Sequence, residues 1–118
     1  MNSLILVNKI VKIIFDKKGF NLIALDVSLD SSITDYFIVA EGFAKKHVQS
    51  IGQSIITFLK KDNKKDDISL INVEGIDDGE WVVLDMFSII VHLFIPDVRE
   101  KYKIERLWKG NFIKTIRE

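Results

Sequence analysis

The side chains best suited to chemistry in this sequence are two histidines and three aspartates. His47 and His92 are the only histidines and cysteine is absent, so the usual zinc ligands are scarce. Asp26, Asp35 and Asp85 each lie in or beside an apolar run, and carboxylates on neighbouring strands can hold a divalent cation for nucleotidyl transfer. No glycine-rich turn that would grip a phosphate accompanies them. The sequence therefore predicts no metal site and no cofactor, with a metal-dependent nucleotidyltransferase-like enzyme as the less favoured alternative.

Nucleophilic catalysis is poorly supported as well. The available serines lack the G-x-S-x-G context of a nucleophile elbow: Ser28, Ser31, Ser32 and Ser88. His92 lies within an apolar run, where a histidine must find a hydrogen-bond partner or face outward, so a structural role is favoured over a catalytic one. His47 is interpreted as a solvated residue in the first turn of a helix. We therefore expect a protein that is not an enzyme.

The strongest functional feature is aromatic. Residues 79–108 concentrate large apolar side chains of the kind that anchor protein interfaces: Trp81, Phe94, Pro96, Tyr102 and Trp108. Alternation along 81–86 places Asp85 on the same strand face as Trp81 and Val83, opposite three apolar residues, so this face is predicted to be the less buried. The pattern predicts an exposed aromatic patch, and the alternative is an ordinary core with aromatic edges.

Helices and strands that would position these residues follow from hydrophobic periodicity. Apolar residues at helical spacing predict helices over 3–17 and 45–61, and short β-branched or aromatic runs predict strands over 22–27, 36–40, 68–73, 81–87 and 89–95. Pro96 should end the last strand, and a helical turn can begin there. Lys45 and Lys46 oppose the dipole of a helix that lacks a capping side chain, so its start should fray without help. The expected fold is α/β, a mixed sheet of about five strands with packed helices.

Length and composition indicate one domain over residues 1–118. Hydrophobic residues make up 47% and charged residues 29% of the 118, which is an ordinary globular balance. The apolar N-terminal run is interrupted by polar residues, and no stretch is long enough to span a membrane, so a cytoplasmic location is expected. Seventeen basic and seventeen acidic residues give a net charge of zero, which argues against direct nucleic-acid readout. The acidic residues concentrate in the strand-forming segments and the basic ones in the helices.

Several blocks together resemble the ribosomal silencing factor family, RsfS, also called Iojap-like. The matching blocks are residues 25–28, 31–40, 47–48, 74–75, 79–85 and 91–100, followed by Tyr102, Leu107 and Trp108. Their order and spacing cover roughly residues 21–108, so the resemblance is highly specific.

The resemblance implies a fold similar to nucleotidyltransferases without their catalytic motif. It also implies binding to ribosomal protein fourteen on the intersubunit face of the large ribosomal subunit, which would block joining of the small subunit and repress translation when nutrients are short. Carried onto this chain, the family's contact surface would comprise Trp81, Asp85, His92, Phe94, Pro96, Tyr102, Leu107 and Trp108. Family members often self-associate, so a homodimer is a further expectation. An adaptor for large-subunit assembly is the alternative function.

Two segments depart from the family pattern. Residues 42–46, Gly-Phe-Ala-Lys-Lys, replace a helix start of Thr-Ser-Asp type, so the role of that cap does not transfer. Residues 86–88 replace a more polar turn, which would alter the hairpin or a contact there. The blocks around Trp81 and His92 are unaffected.

Overall fold

The computed structural model describes residues 3–29, 34–62, 72–104 and 111–112. Within these residues the chain forms three helices and six strands: α1 (Ser3–Asp16), β1 (Phe20–Asp26), β2 (Tyr36–Glu41), α2 (Lys45–Asp62), β3 (Asn72–Glu74), β4 (Trp81–Asp85), β5 (Ile89–Phe94), α3 (Pro96–Tyr102) and β6 (Asn111–Phe112). No helix among these residues is long and apolar enough to cross a bilayer.

The strands form one mixed sheet in the order β3-β4-β5-β2-β1-β6. β2 runs parallel to β5, because α2 carries the chain back across the sheet between them, whereas the other described pairings are antiparallel. The predicted α/β fold is confirmed, with the two-residue β6 as a sixth strand. Of the strand predicted over 68–73, residues 68–71 lie outside the described residues, and β3 continues to Glu74.

The two helices predicted from periodicity cover one face of the sheet. α1 buries five apolar residues at helical spacing, and α2 packs beside it through Val48, Ile51, Ile55 and Leu59. Both helices therefore enclose the main core against the apolar face of β4 and β5. Leu4 and Ile5 remain 40% and 51% exposed at the start of α1.

The opposite face of the sheet is covered only in part. A smaller core of Leu25, Val27, Phe37, Val39, Phe94 and Ile104 lies there, with Trp81 and Val98 packed against it. This core lies over β1, β2 and the end of β5. The face of β4 and the adjoining part of β5 is left half-buried, because α3 reaches only their end near Trp81.

Local turn chemistry shortens the hairpin between β4 and β5. The strand predicted over 81–87 ends at Asp85, because Phe87 adopts a left-handed conformation with φ 72° that a strand cannot contain. The Asp85 carboxylate accepts the Phe87 backbone N–H at 2.9 Å and so organises the turn.

His47 ties the first turn of α2 to neighbouring segments and so supplies the help without which the sequence predicts fraying. The His47 Nδ1 accepts the Phe43 backbone N–H at 2.8 Å, and its Nε2 donates to the Lys17 carbonyl oxygen at 2.7 Å. Since both ring nitrogens are engaged, His47 links the first turn of α2 to the end of α1. The interpretation of His47 as merely solvated was wrong.

Candidate protein-binding surface

The half-buried face of β4 and β5 brings together most of the residues that the sequence singled out. Trp81, Val83 and Asp85 project from β4, and Ile90 and His92 project from β5 on the same side. Val83 lies opposite His92, and Asp85 lies opposite Ile90 in the antiparallel register. We call these five residues the open sheet face. The predicted alternation along β4 is confirmed, since residues 82 and 84 are buried on the other side.

Trp81 and His92 form a hydrogen-bonded pair at the end of this face that lies next to α3. The Trp81 Nε1–H donates to His92 Nδ1 at 3.0 Å, which leaves the His92 proton on Nε2 in the neutral ring. Burial lowers the pKa of His92 to about 4, because the charged form loses hydration between neighbouring aromatic rings. The Phe37 ring lies 5.0 Å away, centroid to centroid. His92 therefore orients the indole as a neutral acceptor, consistent with the structural role predicted for it.

Two further aromatic rings hold the indole of Trp81. The Phe94 ring lies 4.8 Å from it and the Tyr102 ring 5.0 Å, both tilted. Tyr102 is 52% exposed, whereas Phe94 is 0% exposed. The expectation that Phe94 belongs to the exposed patch is therefore corrected: its side chain supports Trp81 from below and does not reach the surface.

A buried ion pair fixes α3, which carries Tyr102. The Arg99 guanidinium lies 3.2 Å from the Glu41 carboxylate at the end of β2, and it also donates to the Asn21 carbonyl oxygen. Arg99 and Glu41 are 7% and 8% exposed, so the pair is shielded from water. Pro96 begins α3 at the surface, next to the end of β5. The ion pair thus places Tyr102 against Trp81.

One acidic side chain, Glu74, borders the open sheet face on the β3 side, opposite Val83, whereas the Asp77–Asp78 turn packs against α2 and Asp97 lies in α3. Sequence positions 66–98 contain no lysine or arginine, and the exposed carboxylates among the described ones are Glu74, Asp77, Asp78 and Asp97. The half-buried Glu80 pairs with Lys45 at 3.3 Å. Glu74, together with Asp85 on the face itself, gives the surface a negative field that favours a basic partner.

The structure brings together some of the predicted contact residues and leaves others outside its description. Trp81, Asp85, His92 and Tyr102 share one surface, and Pro96 lies at its edge. Leu107 and Trp108 lie outside the described residues. Sequence reasoning omitted Val83 and Ile90 from the site. The alternation that exposes Asp85 already placed Val83 beside it, whereas Ile90 was hidden within an unbroken apolar run.

Two of the three aspartates considered for cation binding, Asp26 and Asp85, have local structural roles. The Asp26 carboxylate accepts the backbone N–H and the hydroxyl of Ser28 at 3.0 and 2.7 Å, and these bonds lower its pKa. Asp85 organises the β4–β5 turn. No group of three potential ligands that could hold a metal ion occurs among the described residues.

Comparisons with known proteins are consistent across sequence and structure. The family model "Ribosomal silencing factor during starvation" matches residues 1–117. The ribosomal silencing factor RsfS of Bacillus subtilis is 34% identical over 93 residues, which cover 79% of this chain and 75% of the relative. RsfS of Chromobacterium violaceum is 36% identical over 95 residues, covering 80% and 75%. A crystal structure of a Chromobacterium violaceum protein superposes with a TM-score of 0.85 at 30% identity, covering 100% of this chain and 95% of that chain.

A more distant similarity is to a protein whose name refers to mitochondria. The mouse protein named "Mitochondrial assembly of ribosomal large subunit protein 1" is 24% identical over 102 residues, which cover 86% of this chain but 44% of the mouse protein.

Proposed function

The chain belongs to the ribosomal silencing factor family, and we propose that it binds the large ribosomal subunit through ribosomal protein fourteen and blocks joining of the small subunit. The family's description refers to starvation, so the proposed outcome is repressed translation under nutrient limitation. The open sheet face is the observation that carries the proposal. We place this action in the cytoplasm, and it requires no catalysed reaction.

The open sheet face has the features of a protein-binding hot spot. Trp81 is half-buried and held by His92, Phe94 and Tyr102, so little side-chain freedom remains to be lost on binding. Tryptophan and tyrosine are enriched among residues that dominate binding energy. The negative charge of Glu74 and Asp85 suits a basic ribosomal protein. A docked protein of this size prevents a second particle from approaching by occupying space.

Sedimentation with separated ribosomal subunits tests the proposal. The purified protein should migrate with large subunits and keep added small subunits from forming whole ribosomes. Trp81→Ala should weaken binding to isolated ribosomal protein fourteen by about 2 kcal/mol or more, roughly thirtyfold, because it removes the aromatic anchor. Tyr102→Ala should weaken it less, since Tyr102 is already 52% exposed and lies at the edge.

Leu29→Ala is the matched control, because Leu29 is 92% exposed and lies in the loop after β1. A folded Trp81→Ala protein that binds as tightly as the Leu29→Ala protein would remove Trp81 from the site. Migration at the top of the gradient would reject binding to the large subunit.

Assembly of the large subunit is a second candidate function, favoured by the similarity to the mouse mitochondrial protein named for that process. Under this alternative the protein would act as an adaptor on immature particles and leave before translation. Co-sedimentation with precursor particles but not with mature large subunits would favour it over silencing.

Self-association is a further proposal about partners. Leu4 and Ile5 are exposed near the start of α1, next to the β4–β5 turn that Ser3 contacts through Ser88, with their hydroxyl oxygens 3.2 Å apart. A homodimer using this end of α1 should dissociate in an Ile5→Glu variant. If the chain is monomeric, sedimentation equilibrium would give the mass of a single chain for both the wild-type and the Ile5→Glu proteins.

A further inference from the structure

An exposed aromatic cluster lies where the end of α1 meets the start of α2, apart from the open sheet face. Phe43 is 72% exposed, and its ring centroid lies 4.6 Å from that of Phe20 and 5.2 Å from that of His47. The Phe43 and His47 rings are nearly parallel, with 14° between their planes. Two neighbouring rings therefore hold a phenyl group that otherwise faces solvent.

The backbone beneath Phe43 is fixed as well. His47 accepts the Phe43 N–H and donates to the Lys17 carbonyl oxygen, so it joins three segments of chain at one point. Gly42 donates its N–H to the Phe94 carbonyl oxygen at 2.9 Å and so ties the segment to β5. Phe43 is consequently presented in a defined orientation at low entropic cost for a ligand that stacks on it.

Four lysines lie close to this cluster along the chain, and Asp77 lines the same pocket as one of them, Lys46. Lys17 and Lys18 follow α1, and Lys45 and Lys46 begin α2, all exposed. Lys45 pairs with Glu80, whereas the ion pairs found among the described residues do not involve the other three. The first turn of α2 contains no acidic residue. We call Phe43, His47, Phe20 and these lysines the basic aromatic patch.

We infer that the basic aromatic patch binds a single-stranded segment of RNA, with one base stacked on Phe43 and neighbouring phosphates held by the lysines. Surfaces that bind single strands combine aromatic rings, on which any base can stack, with cations along the backbone path. An acidic peptide would engage the lysines but would leave the exposed phenyl ring without a comparable planar partner. The inference rests on the proposed function, because a ribosomal subunit is the RNA-rich surface that this chain would meet.

The position of the patch agrees with simultaneous binding at both surfaces. The Lys45–Glu80 ion pair spans the boundary, since Lys45 belongs to the patch and Glu80 directly precedes Trp81. The acidic open sheet face would contact a basic protein, while the adjoining lysines contact RNA next to that protein. Contacts with the RNA phosphates and with the flat face of a base do not depend on the base sequence.

Fluorescence polarisation with a fluorescein-labelled oligo-uridine of about twelve nucleotides tests the inference. Phe43→Ala should weaken binding at least about fivefold, which is the lower end of the loss seen when a stacking aromatic is removed. Phe87→Ala is the matched control, because Phe87 is equally exposed, at 72%, in the distant β4–β5 turn. An abasic ribose-phosphate chain of the same length should bind both variants equally.

Charge variants separate stacking from simple attraction. Lys46→Ala should reduce the slope of the logarithm of affinity against the logarithm of salt concentration by about 0.7, the value for one phosphate contact on a single strand. Lys60→Ala, at the other end of α2, should leave it unchanged. Equal affinities of the Phe43→Ala and Phe87→Ala proteins for oligo-uridine would overturn the inference. Displacement of the labelled oligo-uridine by poly-glutamate as effectively as by unlabelled oligo-uridine would also overturn it.

Binding to isolated ribosomal protein fourteen distinguishes this inference from the proposed function. Phe43→Ala should retain that binding while losing affinity for the oligonucleotide and for whole large subunits. If the wild-type protein binds ribosomal protein fourteen but not oligo-uridine, the inference fails and the proposed function stands. If it binds oligo-uridine through Phe43 but not the ribosomal protein, the RNA contact stands and the proposed protein partner fails.

Discussion

Acidification should destabilise the fold through His92 before most carboxylates begin to titrate. The ring is half-buried on the open sheet face and accepts the Trp81 indole N–H, and burial lowers its pKa to about 4. In the unfolded chain the same histidine has a pKa of about 6.5. The unfolded state therefore takes up a proton first as the pH falls. The contribution of His92 to stability is complete above about pH 6.5 and is lost progressively as the pH falls towards about 4.

The size of the effect follows from the separation of the two pKa values. Each unit corresponds to about 1.4 kcal/mol, so the free energy of unfolding should fall by about 2 kcal/mol through His92 between about pH 7 and about pH 4.5. The Trp81 hydrogen bond acts through this same lowered pKa, since protonated Nδ1 cannot accept the indole N–H, and is not a separate contribution.

Urea unfolding of the wild type and of His92→Gln over this pH range measures the effect. A glutamine amide oxygen can accept the Trp81 N–H but does not titrate, so the variant should lack the pH-dependent loss. His47 and the carboxylates are present in both proteins and cancel in the difference. Hydrogen bonds from Ser28 lower the pKa of Asp26, so the stability that the Asp26 carboxylate contributes is lost only below about pH 4. Parallel stability curves for the two proteins would refute the assignment of His92 as a buried neutral acceptor.

Two further predictions concern stability at neutral pH. Arg99→Met should lower the free energy of unfolding by about 3–5 kcal/mol, because it leaves the Glu41 carboxylate buried without its cationic partner. The double variant that also replaces Glu41 with Met should recover much of that loss in the same urea titration. Phe87→Gly should raise the free energy of unfolding by about 1 kcal/mol, because Phe87 is exposed and has φ 72°, a conformation that glycine adopts without strain. A melting temperature no higher than that of the wild type would contradict this reasoning.

The sequence predicted those features that depend on local repetition. Helical spacing placed α1 and α2 close to their observed bounds, and alternation along β4 separated the half-buried side bearing Trp81 from the core side. These signals are readable because a helix or a strand imposes its own period on burial. The aromatic anchor of the candidate site followed from the same pattern.

Features that join distant segments were beyond the reach of periodicity. Phe94 shares its face with His92, yet it is fully buried, because Trp81, Val98 and Ile104 from other elements cover that end of β5. Likewise, the His47 ring donates to a carbonyl thirty residues earlier, so His47 considered alone resembled a solvated side chain. Both errors arose because burial and side-chain hydrogen bonding here depend on contacts between elements.

Net charge describes the chain as a whole, and its implication against direct nucleic-acid readout stays a prediction. A total of zero argued against nucleic acid, but the fold gathers lysines from the segment after α1 and the start of α2 while Glu74 borders the open sheet face. Electrostatic attraction depends on the local field within about a Debye length of 10 Å, not on the sum over the chain. Under the proposed function, the protein must also be held in one orientation for its bulk to lie in the path of the second subunit. Two adjacent contacts of opposite charge fix orientation better than one aromatic anchor, which alone would permit rotation about the Trp81 indole.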